Sequence, residues 1–449
     1  MLDRVKFFRR RQFVLGPEFI DYEGWHRVNL FDNFMLTLHP DLPLTIVEHL
    51  DNKAILLGYA IDPHQPELTD ERILQRFVAN AITIDAVTDG LKTLTGRFVL
   101  IIRCPEATWL FHDACALRQV NYCFDSKGTL WCASQAETLA ERFGFSFDDD
   151  VLSYRNMPAY QDSTEEFWLI NDRTPYLEIK YLLANHYLDL TQGQVVRFWP
   201  HANCIEELSM KDAIRQCSPV IQNGIKIAAQ RFDLKMGITA GSDSRRSLAA
   251  AKDVVDNIYF FTHTPRSGDI DINIPSRLLP QLGIAHHKLD IETMSDEFRE
   301  LYKCSATWAR ERRGHVAHTA LVNFGTEATV LNSNLSEIHQ CWYWLPESKI
   351  NGEGLALATR LNHPFAINEF QKWIDGARSA CESAKINILT LFDYELRSRW
   401  AAAAFYEYDI AHETFNPYNN RLLSCLELSV NERYRNGQRL DLIIDQIKY

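Results

Sequence analysis

The sequence predicts an α/β protein of two domains, the first rich in short strands and the second built on a parallel sheet. A chain of 449 residues is longer than one ordinary hydrophobic core can organise. Strand-like runs separated by polar breaks dominate residues 53–145, whereas from residue 213 onward amphipathic helical patterns alternate with strand-like runs. Because that alternation forms βαβ units, we expect a parallel sheet with helices on both faces. We place the boundary between residues 1–205 and 206–449.

Each element follows from local pattern: strands where β-branched and aromatic residues cluster, and helices where apolar positions recur every three or four residues. In the first domain we predict strands at 54–60, 96–102, 108–112 and 119–124, helices at 69–78 and 134–143, and a closing hairpin at 186–199. Ser134 is the capping-box candidate of the second helix. In the second domain we predict helices at 213–225, 245–252 and 274–282, strands at 234–239, 258–262 and 286–291, and then a mostly helical chain that ends with 422–428 and 440–447.

The composition argues against several classes of function. A formal net charge of −12 repels polyanions, so we expect no binding to nucleic acid or to an anionic membrane surface. No stretch reaches the roughly 20 apolar residues of a membrane span. The ten cysteines are scattered without a C-x-x-C pair, which suits reduced thiols. We therefore expect a cytoplasmic protein that acts on small molecules.

The segment 237–246, Gly-Ile-Thr-Ala-Gly-Ser-Asp-Ser-Arg-Arg, lies between a predicted strand and a predicted helix. Small residues let backbone N–H groups approach phosphate oxygens, and the helix amino terminus adds its positive dipole end. Asp243 then stands where it could hold the Mg²⁺ that accompanies the phosphates. The alternative is an ordinary turn with Asp243 as a cap. The segment is neither a Walker A loop nor a dinucleotide fingerprint.

Within this segment, residues 239–244 resemble the S-G-G-x-D-S pyrophosphate loop of the asparagine synthetase and β-lactam synthetase family, with Thr239 for Ser and Ala240 for the first Gly. Downstream, Glu413 and Pro417 stand in register with that family's E-x-R-x-P-F-x-D stretch, and residues 432–439 are similar to its R-x-G-x-x-K ending. Upstream, the segments 96–98, 112–118, 131–135 and 186–188 are like its amino-terminal domain. The likeness covers nearly the whole chain in the right order.

The resemblance implies an Ntn-hydrolase-like αββα domain, followed by an adenine-nucleotide α-hydrolase-like (PP-loop) domain with a parallel sheet and a helical carboxyl-terminal part. It also implies ATP and Mg²⁺ as cofactors. The nucleotide-binding residues it implies are Ile238, Thr239, Ala240, Gly241, Ser242, Asp243, Ser244 and Phe261.

Three positions depart from the family pattern. Leu2 replaces the nucleophilic Cys of glutamine-dependent members, so we expect no glutamine hydrolysis and interpret the first domain as a structural relic. Ser336 stands at the usual Asp of the second acidic loop, where Glu337 either supplies a metal contact beside Asp243 or is an ordinary helix-start acid. Arg439 lies at or beside the position of the family's catalytic Lys. Its side chain keeps the positive charge but does not readily donate a proton.

Other candidates have two interpretations each. Glu413 could position or deprotonate an amine. The arginines 310, 312, 313, 397 and 399 could contact pyrophosphate or belong to solvated faces. The aromatic run 342–344 could line an acceptor pocket or fill a core. The basic cluster 6–11 could be an anion-binding arm, although we favour a solvated strand edge.

The function that follows from the resemblance is an ATP-dependent, AMP-forming ligase of specialised metabolism. It would adenylate a small-molecule or peptide carboxylate and join it to an amine other than glutamine-derived ammonia, forming an amide or a lactam. Glu413 and Arg439 are the predicted catalytic residues, and Asp243 and Glu337 the predicted metal ligands. A homodimer is compatible with this interpretation. The alternatives are a noncatalytic paralogue with a binding or scaffolding role and, less favoured by the charge, an enzyme that modifies nucleotides or tRNA.

Overall fold

The computed structural model describes residues 2–31, 33–79, 82–162, 169–264, 270–340 and 342–432. Its strands are β1 (Phe13–Gly16), β2 (His26–Phe31), β3 (Phe34–Leu38), β4 (Leu44–His49), β5 (Asn52–Ile61), β6 (Thr95–Arg103), β7 (Thr108–His112), β8 (Asn121–Phe124), β9 (Leu130–Ala133), β10 (Lys180–Tyr181), β11 (His186–Asp189), β12 (Gln194–Arg197), β13 (Asp233–Gly237), β14 (Tyr259–Thr264), β15 (His287–Asp290), β16 (Ala328–Leu331) and β17 (Glu413–Phe415).

Its α-helices are α1 (Arg4–Phe7), α2 (Asp70–Val78), α3 (Ile84–Lys92), α4 (Ala136–Phe143), α5 (Asp149–Arg155), α6 (Pro158–Asp162), α7 (Met210–Arg231), α8 (Ser242–Ala250), α9 (Ile270–Gln281), α10 (Asp296–Ser305), α11 (Glu311–Phe324), α12 (Gly352–Ala358), α13 (Pro364–Ala384), α14 (Ile388–Tyr408) and α15 (Arg421–Leu428). Short 3₁₀ helices span Lys252–Asn257 and Glu347–Lys349. None of the helices in the described part of the chain is both long enough and apolar enough to span a membrane.

The amino-terminal half is an αββα sandwich, as predicted. Its two antiparallel sheets have the strand orders β10-β8-β9-β1-β3-β2 and β12-β11-β7-β6-β5-β4. One apolar core lies between them and joins residues such as Leu15 of the first sheet to Ile55 of the second. Side chains alternate along a strand, so the neighbouring Leu56 packs instead with α2 and α3 on the outer face. On the other outer face, Trp131 packs with Leu139 of α4.

The carboxyl-terminal half contains the predicted parallel sheet, with the order β15-β14-β13-β16-β17. Helices cover both faces, as expected: Phe260 of β14 lies in the core formed with α7 and α8, whereas its neighbour Phe261 packs against Phe324 of α11. The chain runs outward from β13 to β15 and then crosses to β16 on the other side of β13. The strand order therefore reverses between β13 and β16, and the crevice at such a point is where open α/β sheets bind ligands.

Two of these strands were not predicted. β16 and β17 are four and three residues long. Runs this short show no periodicity, and they become strands through pairing with distant segments. The prediction of a capping box at Ser134 was also wrong. α4 begins after Gln135, and the Ser134 hydroxyl accepts the Phe13 N–H at 3.0 Å. The predicted helix 440–447 lies outside the described residues.

The basic cluster 6–11 is not a solvated edge. Arg9, Arg10 and Arg11 are 3, 1 and 5% exposed. Arg10 pairs with Asp41 and donates to the backbone carbonyls of Thr326, Ile410 and Ala411 in the other half of the chain, at 2.8, 3.3 and 3.1 Å. A guanidinium carries five N–H donors and can therefore bind several carbonyls at once. Through these contacts the cluster joins the two halves.

Candidate functional site

The loop between β13 and α8 is held in shape by Ser244. Its hydroxyl accepts the Thr239 N–H at 3.1 Å and lies 3.2 and 3.3 Å from the carbonyl oxygens of Thr239 and Gly241. Gly241 is the residue before the first helical turn, and it has no side chain with which to cap the helix. The amino end of α8 therefore faces outward without a side-chain cap, which is the arrangement that suits an anion.

The amides of the loop are not equivalent. The Ile238 N–H bonds the Phe261 carbonyl at 2.8 Å, as an extension of the sheet, so the Ile238 amide is already used. The Ala240 N–H donates to Oδ1 of Asp271 at 3.0 Å. This second contact shows that the Ala240 amide points where a carboxylate oxygen can reach it, which is the geometry an anionic ligand requires.

Asp243 connects this loop to the segment after β16. The Ser336 hydroxyl donates to Asp243 Oδ1 at 2.6 Å, and Arg246 Nη1 donates to the Ser336 carbonyl at 3.2 Å. Residues 239–244 and the segment that contains Ser336, which the resemblance identifies as the phosphate loop and the second acidic loop, are thus adjacent in space. At this contact Ser336 supplies a neutral hydroxyl, whereas the family that the sequence resembles has an Asp carboxylate.

A first cavity of about 270 Å³ opens at the carboxyl ends of β13, β14, β16 and β17. It lies at the point where the strand order reverses, as expected for this sheet. Its lining residues are Gly237, Thr239, Gly241, Asp243, Ser244, Phe261, His263, Val316, Ala320, Val330, Leu331, Asn332, Ser333, Asn334, Tyr408, His412 and Thr414. Among these described residues none is Lys or Arg. Burial lowers the pKa of His263 and of His412 to about 4, so both rings are neutral at pH 7.

A second cavity of about 320 Å³ adjoins the first. It is lined by Asp243, Arg313, Asn334, Leu335, Glu337, Tyr343, Arg397, Trp400, Ala401 and Ala404. Asp243 and Asn334 belong to both linings and therefore form part of the wall between the cavities. Unlike the first cavity, the second carries cationic side chains.

The predicted metal ligands fit a magnesium ion that is held mainly by its substrate. Asp243 and Glu337 both line the second cavity. The described residues contain no cluster of three or more His, Cys, Asp or Glu side chains that could hold a metal. Mg²⁺ is commonly bound by one or two carboxylates, with phosphates and water completing its shell, and Asp243 and Glu337 are two such carboxylates in the lining of one cavity.

The five candidate arginines are placed differently. Arg313 and Arg397 line the second cavity. Arg310 pairs with the buried Glu407, and Arg399 donates to the backbone carbonyls of Asn171 and Arg173. Arg312 is exposed. Two of the five are therefore placed to contact a ligand in this cavity.

Glu413 faces a different environment from the one predicted. Its carboxylate accepts from Arg97 at 2.9 Å and from Arg118 at 2.7 Å, within a buried network that also contains Asp409. Although burial favours its neutral form, the Arg118 and Arg97 guanidiniums hold the pKa of Glu413 well below its usual range. A carboxylate this firmly paired is a poor base. The prediction that Glu413 deprotonates or positions an amine therefore conflicts with its contacts, which join the two halves of the chain.

Several lining residues escaped the sequence analysis. His412 and Thr414, which flank Glu413 in sequence, line the first cavity, as do the residues that follow β16. Alternation along β17 would have indicated that Thr414 faces opposite to Glu413, but β17 was not predicted. Of the aromatic run, Tyr343 lines the second cavity, whereas Trp342 and Trp344 are exposed. Arg439 lies outside the described residues.

Leu2 is the residue that stands at the position of the nucleophilic Cys in the family that the sequence resembles. Leu2 precedes α1 and packs with a core that contains Phe298 and Leu301 of α10, in the carboxyl-terminal half. The first strand of the sandwich begins only at Phe13. A Leu side chain has no group that attacks an amide, wherever it lies.

No family model matches the chain, and no curated protein matches it. Among solved structures, the chain is similar to the allosteric regulatory enzyme of purine biosynthesis, with 11% identity over 68% of this chain and 75% of that chain and a TM-score of 0.28. It is also similar to glutamine phosphoribosylpyrophosphate amidotransferase from B. subtilis complexed with ADP and GMP, with 12% identity over 79% of this chain and 84% of that chain and a TM-score of 0.27. Similarities this loose carry no argument about the function of this chain.

Proposed function

We propose that the chain is an ATP-dependent, AMP-forming ligase that activates a carboxylate as its adenylate and transfers the acyl group to an amine. The observation that carries this proposal is the wall formed by Asp243 and Asn334, which separates a cavity without cationic residues from one that contains two arginines. A reaction between a nucleotide and an acid requires two such adjoining sites. The resemblance of residues 239–244 to a pyrophosphate loop agrees with it.

The charges suggest how the nucleotide lies. The first cavity offers apolar side chains such as Phe261 and Val330 together with neutral histidines, which suits a nucleoside better than a triphosphate. The amino end of α8, which has no side-chain cap, would then face the phosphates at the wall. Arg313, which lines the second cavity and also pairs with Glu407, would then contact the pyrophosphate that leaves.

In the reaction we propose, a carboxylate oxygen bonds to the α-phosphorus while the bond from that phosphorus to the bridging oxygen breaks, and pyrophosphate takes the electron pair. The amine nitrogen then attacks the acyl carbon, the bond to AMP breaks, and the amine releases a proton to solvent. The protein's part is to hold the acid and the α-phosphate together, which makes the first step effectively unimolecular. Bound Mg²⁺ at Asp243 and Glu337 would neutralise phosphate charge.

The test compares Asp243→Ala with Asp253→Ala, a substitution of an exposed acid shortly after α8. MgATP binding is measured by calorimetry, and activation by carboxylate-dependent exchange of labelled pyrophosphate into ATP. We expect Asp243→Ala to lose both signals with the fold intact, because Asp243 is a partly exposed residue in the first turn of α8, and Asp253→Ala to retain both. Undiminished activity in Asp243→Ala would overturn the proposal.

The noncatalytic alternative has one observation in its favour, the hydroxyl of Ser336 where the family has a second carboxylate. It predicts that wild-type protein binds MgATP but exchanges no pyrophosphate with any acid. A carboxylate that supports exchange excludes it.

A further inference from the structure

One face of α14 forms a wall of the second cavity. Arg397, Trp400, Ala401 and Ala404 all line it, and they follow one another at the spacing of a single helical face. The small side chains of the two alanines leave space beside α14. Leu335 and Tyr343, from the segment after β16, add apolar and aromatic surface to the same cavity. The cavity therefore combines polar and charged side chains with an apolar and aromatic patch formed by α14, Leu335 and Tyr343.

Arg397 is held in place from two sides. Its Nε donates to Oδ1 of Asp393 at 2.8 Å, and the Asp393 side chain has no exposed surface. Its guanidinium carbon lies 4.9 Å from the ring centre of Trp342. A guanidinium fixed through Nε and stacked on an aromatic face can still present its terminal nitrogens to a carboxylate as a fork.

Arg313 serves a different part of the cavity. Its Nη1 donates to the Tyr408 hydroxyl at 3.1 Å, and Tyr408 lines the first cavity. Along α14, Tyr408 lies about 16 Å from Arg397 at the usual helical rise. The two arginines are thus anchored at opposite ends of the helical face, Arg313 beside the proposed nucleotide and Arg397 at the far end.

On the basis of the proposed function, we infer that Arg397 is the ligand for the carboxylate of the substrate acid, that Asp393 positions Arg397, and that this acid carries an aromatic or large apolar group. The apolar group would lie on Trp400 and Tyr343 above the two alanines. The Asp393 contact requires only an acceptor oxygen, so either protonation state of Asp393 maintains it.

The test measures binding to the full chain by calorimetry without nucleotide, using N-acetylphenylalanine, its carboxamide and N-acetylglycine as probes. Wild type is expected to bind N-acetylphenylalanine about tenfold more tightly than either other probe, because the carboxamide lacks the charge and N-acetylglycine lacks the ring. Arg397→Gln should abolish the preference for acid over carboxamide, Arg397→Lys should restore part of it, and the exposed control Arg312→Gln should keep it.

Two substitutions of Asp393 test whether it positions Arg397. Asp393→Asn keeps an acceptor and should retain the preference for acid over carboxamide, whereas Asp393→Leu should lose it. A role in folding alone would leave that preference unchanged in every variant that folds, and this result would overturn the assignment. Equal binding of acid and carboxamide by wild type, absence of binding to all three probes, or loss of MgATP binding in Arg397→Gln would each overturn it as well.

Failure of the ligase proposal gives a different result. If wild type binds the acid through Arg397 but does not bind MgATP, the acid site stands and the adenylation chemistry does not. If Asp243→Ala loses MgATP binding while Arg397→Gln keeps both MgATP and acid binding, the ligase proposal stands and the assignment of Arg397 falls.

Discussion

The Ser336 hydroxyl donates a 2.6 Å hydrogen bond to Oδ1 of Asp243. Ser336→Ala should weaken MgATP binding by about tenfold, because a hydrogen bond to an ionised oxygen orients that oxygen. Calorimetry of the variant beside wild type measures the change. Ser383→Ala is the matched control, since Ser383 is exposed on α13 and its hydroxyl donates to the Ala380 carbonyl. Equal affinities in Ser336→Ala and Ser383→Ala would contradict the prediction.

Glu337 is expected to share the magnesium ion with Asp243. Glu337→Gln should raise the Mg²⁺ concentration needed for half-maximal ATP binding by several-fold, because an amide oxygen is a weaker ligand for this cation than a carboxylate. Titration of Mg²⁺ at constant ATP measures this. Glu347→Gln, at an exposed acid nearby, should leave the requirement unchanged. An unchanged requirement in Glu337→Gln would mean that Glu337 is an ordinary surface acid.

Glu413→Gln should destabilise the protein by about 3 kcal/mol, because the buried Arg97 and Arg118 then have only Asp409 as a charged partner. Urea denaturation measures the free energy of unfolding. Glu48→Gln, which removes the exposed partner of the ion pair with Lys53, should change it little. Wild-type stability together with lost acyl transfer in Glu413→Gln would instead restore the role as a base.

Arg10→Ala should cost about 3 kcal/mol of stability, since three backbone carbonyls of the other half and Asp41 lose a buried donor. Limited proteolysis should then cleave the chain between its halves faster than in wild type. The neighbouring Arg4 is exposed, so Arg4→Ala should resist cleavage as wild type does. Equal cleavage of the two variants would show that the basic cluster does not join the halves.

Stability should depend on pH through Asp393. Burial raises the pKa of Asp393 to about 7, against the opposing effect of Arg397. A carboxyl whose pKa is raised by folding contributes stability that is complete below the unfolded pKa and is lost as pH rises through the folded pKa. Between pH 5 and 8, wild type should therefore lose a few kcal/mol relative to Asp393→Asn, which cannot ionise.

Urea denaturation at several pH values measures this difference, with Asp375→Asn at the exposed surface of α13 as the control. Parallel pH curves for wild type and Asp393→Asn would show that the Asp393 carboxyl keeps an ordinary pKa.

Much of the fold was accessible from local pattern. The first βαβ unit and its loop follow from residues close together in the chain, and the observed bounds of β13, α8 and β14 lie within a few residues of the predicted ones. The hairpin of β11 and β12 was likewise recognisable from its turn. Such elements can be predicted because their periodicity and turn chemistry are carried by the residues themselves.

The tertiary structure decided which of the candidate residues meet. β16 and β17 exist only through pairing with strands far away in sequence, and their positions bring Ser336 to Asp243 and turn Glu413 away from the cavity that Thr414 lines. The arginines at 10 and 397 have equally ordinary sequence surroundings, yet one is buried between the halves and the other lines a chamber. A charged side chain takes its role from the partners that packing supplies: the carbonyls that Arg10 binds are hundreds of residues away, whereas Asp393, which holds Arg397, is one helical turn away.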